Sequence, residues 1–174
     1  MNTLRIITDQ DVGLEPKPFD LRRERFAARA VMRMGEKVAL MHITNGNYFK
    51  LPGGGIERAE DGTDALNREL LEETGCRAKI IKAIGRILEE RGEDGFRQVS
   101  EAYIVEQYGD IVEPELTERE KNAGAEVFWA DDIDHAIELV ESSAPDTGGS
   151  KFMRERDGTF LREAKKLLSG RDAA

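Results

Sequence analysis

Residues 51–76, LPGGGIERAEDGTDALNRELLEETGC, constrain the fold of this chain more than any other segment. Asp61 stands at an N-cap position, Asp64 puts negative charge in the first turn, and Gly75 supplies a C-terminal stop. Those signals predict a helix from about Gly62 to Thr74, of about three and a half turns. Ahead of it, a short strand near Tyr48 to Leu51 leads into Pro52-Gly53-Gly54-Gly55. The chain must therefore build itself around a strand, a glycine loop and a capped helix in immediate succession.

The helix carries an unusual charge pattern. At 100° per residue, Glu72 lies about 60° to one side of Glu69 and Glu73 about 40° to the other, so the three carboxylates share one arc of about 100°. Like charges this close repel by a few tenths of a kcal/mol per exposed pair, and something should compensate. Taken alone, the pattern fits a solvated face partly neutralised by Arg68. It also fits a hard divalent cation, since Mg²⁺ takes oxygen ligands and leaves positions for water and substrate phosphates. The three glycines add a loop that lets backbone approach a ligand closely. No Gly-Lys-Ser/Thr follows at Walker spacing.

The rest of the sequence describes what surrounds this unit. Ala28, Ala30, Met32 and Met34 alternate with Arg29, Val31 and Arg33, the period of a strand, and Gly35-Glu36 turns into an apolar strand at Val38 to Ile43. Arg77–Arg91 and Phe96–Tyr108 are expected as long strands joined at Gly92 to Gly95, with another strand near Leu4 to Thr8 and a short one at Val127 to Ala130. Segment 111–125 reads as a polar loop. Two helices are expected near the end, on Ile133, Ala136, Ile137 and Val140, and on Phe160, Leu161, Ala164, Leu167 and Leu168. Strands with one helix inserted and helices at the end indicate an α+β fold.

At 174 residues the chain is expected to form one domain, large enough to fold without a disulfide or a structural metal, and the lone Cys76 can build neither a disulfide framework nor a Cys-based zinc site. With 26 Lys+Arg against 35 Asp+Glu, its net charge of -9 argues against a non-specific nucleic-acid binder. No apolar run reaches membrane-span length, and Asp9 and Asp11 break any leader-like core, so the expected setting is cytoplasmic, without a membrane partner.

The positions Gly54, Glu60, Arg68-Glu69-Leu70, Glu72-Glu73 and Gly75-Cys76 together resemble the Nudix box, the signature of the MutT-like hydrolases of nucleoside diphosphate-linked compounds. Nine defined positions over residues 54–76 agree, except that Cys76 replaces the usual aliphatic residue. The resemblance implies a Nudix-type α/β/α sandwich with a mixed central β-sheet over residues 1–174, and attack of water on a pyrophosphate bond. It also implies that Glu69, Glu72 and Glu73, with the Gly53 carbonyl, hold Mg²⁺ or Mn²⁺, that Arg68 orients a glutamate, and that Glu60 supports the network.

By the same resemblance, Glu69 or a later glutamate serves as general base. Glu118, Glu120 and Glu126 are the later candidates, with Glu120 placed first. The substrate is expected to be a small nucleotide met by Gly53, Gly54, Gly55 and Arg33. The window after the box, Glu89 to Gly92, has neither the proline of ADP-ribose specialists nor the tyrosine of dinucleoside polyphosphate specialists, leaving nucleoside triphosphates, oxidised purine nucleotides included, as the default. The alternatives are an ADP-ribose or nucleotide-sugar pyrophosphatase and a non-catalytic nucleotide-binding module. The family's habit makes a homodimer the expected assembly. Outside the box, Arg29, Arg154 and Arg156 meet phosphate or solvent, with solvent favoured for the last two. His42 is expected to pack or hydrogen-bond within the fold, and Tyr48, Phe49 and Trp129 to pack there, with stacking on a base as the alternative for all three. His135 is expected on an exposed helix face.

Overall fold

A computed structural model describes residues 1–144 and 147–170. Seven strands form one mixed sheet: β1 (Thr3–Thr8), β2 (Arg23–Met34), β3 (Lys37–Ile43), β4 (Tyr48–Lys50), β5 (Arg77–Arg91), β6 (Phe96–Tyr108) and β7 (Ala125–Ala130). The order is β1-β5-β6-β2-β3-β4, with β7 along β3. The pairs β1–β5 and β2–β6 are parallel, and the others antiparallel. Among the described residues, four α-helices complete the fold: α1 (Gly62–Thr74), α2 (Glu118–Ala123), α3 (Ile133–Ser142) and α4 (Gly148–Ser169).

The alternation of β2 explains the layers. Ala28, Ala30 and Met32 are buried against Ala65, Leu66 and Leu70 of α1. On the opposite face, Val31 joins Leu40, Leu51 and Ile87 under Phe152, Phe160 and Leu161 of α4. Helices therefore cover both faces, which gives the α/β/α sandwich. Long apolar strands suit this arrangement because neither side meets water.

Three expectations change. The strand read from Ala28 to Met34 starts earlier, because the charged stretch Arg23 to Phe26 belongs to β2 and pairs with Phe96 to Val99. Its side chains hide the strand period, while its backbone completes a ladder. The polar segment 111–125 contains α2, started by a capping box between Thr117 and Glu120 and ended at Gly124. Six residues are too few to display an apolar stripe. Finally, α4 begins at Gly148, far ahead of the Phe160 repeat, and buries Arg156 and Asp157. Among the described residues, no helix is long and apolar enough to cross a membrane.

Candidate active site

The glycine loop is laid along β2 as if it were another strand. Ala30 N–H donates to Pro52 O, Ala28 N–H to Gly54 O, and Ile56 N–H to Phe26 O. Gly53 has φ of 124°, and a Cβ there would strike the Ala28 carbonyl, so the sharp bend requires glycine. Gly54 meets a different constraint: a Cβ would collide with the Glu69 carboxylate. The loop and the first turns of α1 thus touch directly through a missing side chain.

Asp61 caps α1 by accepting from Thr63 and Asp64 N–H, as its position predicts. On the helix, Arg68 holds a carboxylate network together. Its Nε donates to Glu60 Oε1 at 2.7 Å, and its Nη1 to Glu69 Oε1 at 2.9 Å and Glu72 Oε2 at 3.2 Å. Its Nη2 donates to Gly55 O at 3.0 Å and Glu60 Oε2 at 3.1 Å. The Arg68 bonds and a backbone N–H from Glu57 hold the Glu60 carboxyl down to about 2. The hydrogen bonds that Arg68 donates to Glu60 in turn raise the Arg68 guanidinium. Glu69 moves the other way: burial pushes its carboxyl above the ordinary range against the bond from Arg68, and the charge of Glu73 pushes in the same direction.

Glu73 lies deeper, almost fully buried. Lys50 Nζ reaches its Oε1 at 2.7 Å, and Gly53 N–H donates to its Oε2 at 2.6 Å. Arg29 donates to the Gly53 carbonyl from beneath. Lys50 and this contact of Arg29 are absent from the sequence reading. The one signal for Lys50 is its place on the strand that enters the glycine loop. Arg29 is buried because α4 covers its face of β2, so the solvent alternative does not hold for it.

The donor set can be tested against the divalent ion that Nudix hydrolases generally use. Among the described residues, no three acidic, histidine or cysteine side chains already converge on a point that could hold a metal. Their chemistry nevertheless fits. Glu60, Glu69 and Glu72 share one cation, Arg68, leaving two negative charges in excess on hard oxygen donors. An ion would compete with Arg68 for Glu69 and Glu72, and with Lys50 for Glu73.

Other residues from the sequence reading lie elsewhere. Arg33 is four residues along β2 from Arg29, about 13 Å. There it donates to Gly35 O and faces Glu106 at 3.9 Å, beyond the glycine loop. The Glu120 carboxylate accepts from Thr117 N–H and Oγ, which commits it to capping α2. Glu118 pairs with Lys121, and Glu126 with His42. His42 also stacks on Phe49, with ring centroids 4.4 Å apart, and Trp129 packs in the layer under α1. His135 is only partly exposed, accepting from Asp131 N–H. Arg156 is fully buried between Glu89 and Asp157, contrary to the solvated reading, and Arg154 donates to Ser143 O.

Comparison with known proteins decides the family. The model of the NUDIX domain matches residues 23–145, a span that includes the loop, α1 and most of the sheet. The chain belongs to the Nudix family. A NUDIX hydrolase from Nitrosomonas europaea superposes with a TM-score of 0.61 at 19% identity, covering 82% of this chain and 89% of that one. The E. coli ORF135 protein gives 0.60 at 19% identity, over 87% and 96%. A UDP-X diphosphatase gives 0.56 at 17% identity, over 86% and 66%. No curated protein matches the sequence. At these identities the structural neighbours share the fold, and the family assignment identifies a Nudix pyrophosphohydrolase.

Proposed function

We propose that this chain hydrolyses a pyrophosphate bond in a nucleoside diphosphate-linked small molecule with Mg²⁺ or Mn²⁺, and that residues 1–174 act as one catalytic unit in the cytoplasm. One observation carries the reading: Glu69 is wedged onto Gly54, with Oε1 held by Arg68, where the loop backbone and the carboxylate face of α1 meet. Glu69 takes the proton of the attacking water. Glu72 and Glu73, with the Gly53 carbonyl, would hold the ion, for which Glu73 would give up its pair with Lys50. When bound, the ion neutralises phosphate oxygens and acidifies water. Arg68 keeps Glu69 and Glu72 on one side of the helix, and Glu60 keeps Arg68 in place. Arg29 fixes the Gly53 carbonyl.

The test is turnover with Mg²⁺, with Mn²⁺ and with EDTA, followed as phosphate or pyrophosphate released from nucleoside triphosphates and as nucleoside monophosphate plus sugar phosphate formed from ADP-ribose and nucleotide sugars. Turnover should require the metal, and Glu69→Gln should lower kcat by about 10²–10⁴-fold. A wild-type protein inactive with both metals on this panel and on coenzyme A and NADPH would overturn the reading.

A further inference from the structure

A cavity of about 590 Å³ opens beside the glycine loop, between β2, β6, α2 and the start of α4. Its lining includes six arginines: Arg23, Arg25, Arg29, Arg91, Arg119 and Arg156. This concentration is unexpected in a protein whose net charge is -9. Carboxylates answer only part of it. Glu89 pairs with Arg91 and Arg156, Asp157 with Arg156, and Asp94 with Arg23. Glu24, also on the wall, pairs with Arg97. Among the described residues, Arg25, Arg29 and Arg119 have no carboxylate partner.

The donors are also incompletely used. Among the described residues, four buried side-chain nitrogens or oxygens lack a hydrogen-bond partner, and three are on arginines of this cavity: Arg29 Nε, Arg91 Nε and Arg156 Nη2. Arg29 and Arg156 are themselves more than nine-tenths buried. Leaving such groups unsatisfied is costly, and it leaves the wall behind the cavity positively charged, while Arg25 and Arg119 at exposed positions present donors that an anion with several acceptor oxygens can bind. Thr147, Gly149 and Ser150 bring the first turn of the 22-residue α4 to the same wall, adding the positive end of its dipole.

Position narrows the anion. From Arg29, which touches Gly53, the wall follows β2 to Arg23, six residues or about 20 Å away. Arg25 lies against Gly55, at the junction with the carboxylate site. The positive charge therefore extends well away from the diphosphate-cleaving end. Of the two aromatic residues on the lining, Phe96 already has Arg23 and Arg91 over its ring, which leaves Tyr48. We propose that this cavity is the subsite for a phosphate carried on a separate part of the substrate, so that the group attached to the cleaved diphosphate is itself phosphorylated. The proposal rests on the hydrolase reading for its link to turnover, but not for its link to binding.

The first experiment therefore needs no catalysis. Calorimetric titration in EDTA compares adenosine 3′,5′-bisphosphate with adenosine 5′-monophosphate, which differ by one phosphate. The bisphosphate should bind at least tenfold tighter, and Arg119→Gln and Arg25→Gln, both at exposed positions, should each shrink that ratio severalfold. Equal affinities would overturn the subsite, as would a ratio unchanged in both variants.

With metal present, kcat/KM is then compared for coenzyme A against dephospho-coenzyme A and for NADPH against NADH. Preference for the phosphorylated member of each pair, reduced in Arg119→Gln, is the expected result. If GTP is turned over ahead of both pairs and Arg119→Gln weakens it equally, the arginines serve a triphosphate chain and the proposal fails. Absence of turnover throughout, with the bisphosphate preference intact, would remove the hydrolase reading and leave the phosphate subsite standing.

Discussion

Glu60 lies outside the carboxylate arc of α1, yet it takes two of the hydrogen bonds of Arg68 and is thereby tied to the same site. Its ordinary value is 4.5 and the folded protein holds it down to about 2. Because folding favours the charged form, the stability it contributes is complete above about pH 4.5 and disappears as pH falls through 2. A carboxyl-carbon NMR titration should find that low midpoint. Glu60→Gln should cost stability at pH 7 and lose its effect near pH 2, whereas a Glu60 midpoint near 4.5 would show that Arg68 does not engage it in solution. The three α1 glutamates have different surroundings despite sharing an arc: Glu69 is wedged against the loop, Glu72 is open, and Glu73 is buried on Lys50. Helical spacing placed them together but gave no information about depth.

At the scale of elements, the loop and α1 work as a unit joined at one contact. Gly54→Ala should leave α1 formed, because the loop precedes the helix, but displace the Glu69 carboxylate. The expected result is an unchanged far-ultraviolet circular dichroism spectrum with a large loss of kcat. Asp61→Ala separates the two properties in the opposite sense: loss of the N-cap should lower stability by about 1 kcal/mol in urea denaturation, with Glu69 still seated. The caps of α1, the hairpin of β5 and β6, and the periodicity of α3 were legible because each depends on residues close together in sequence. The short α2 carried only its Thr117–Glu120 capping box, and the start of β2 carried charges whose pairing partner lies more than 70 residues away.

Across the whole molecule, the face of the sheet under α4 is polar at its centre. Glu89 on β5 joins Arg156 at 2.8 Å and Arg91 at 2.6 Å, and Asp157 joins Arg156 at 2.7 Å while accepting from Leu51 N–H at 2.9 Å. These contacts connect α4 to the strand that enters the glycine loop. Removing one partner leaves a buried charge uncompensated, so Glu89→Ala should cost about 3–5 kcal/mol in urea denaturation. A change below 1 kcal/mol would mean that water or a rearranged Arg156 takes over the vacated place. Burial pulls Arg29 down to about 10, with the charge of Arg156 acting in the same direction, so the two cations share a low-dielectric wall.

By itself the sequence determined the α+β class, nearly every strand and helix, and the carboxylate face with its glycine loop. Those features depend on short-range spacing, capping and backbone freedom, which are written along the chain. Tertiary structure alone decided that Lys50 and the Gly53 N–H meet Glu73 and that Arg33 lies beyond the loop, beside Glu106. It also gathered six arginines from β2, β5, α2 and α4 around one cavity. Their charges are far apart in sequence and look like ordinary solvated residues. Covering the sheet with α4 excludes water from Arg29 and Arg156, while Arg23, Arg25 and Arg119 reach the same cavity from exposed positions.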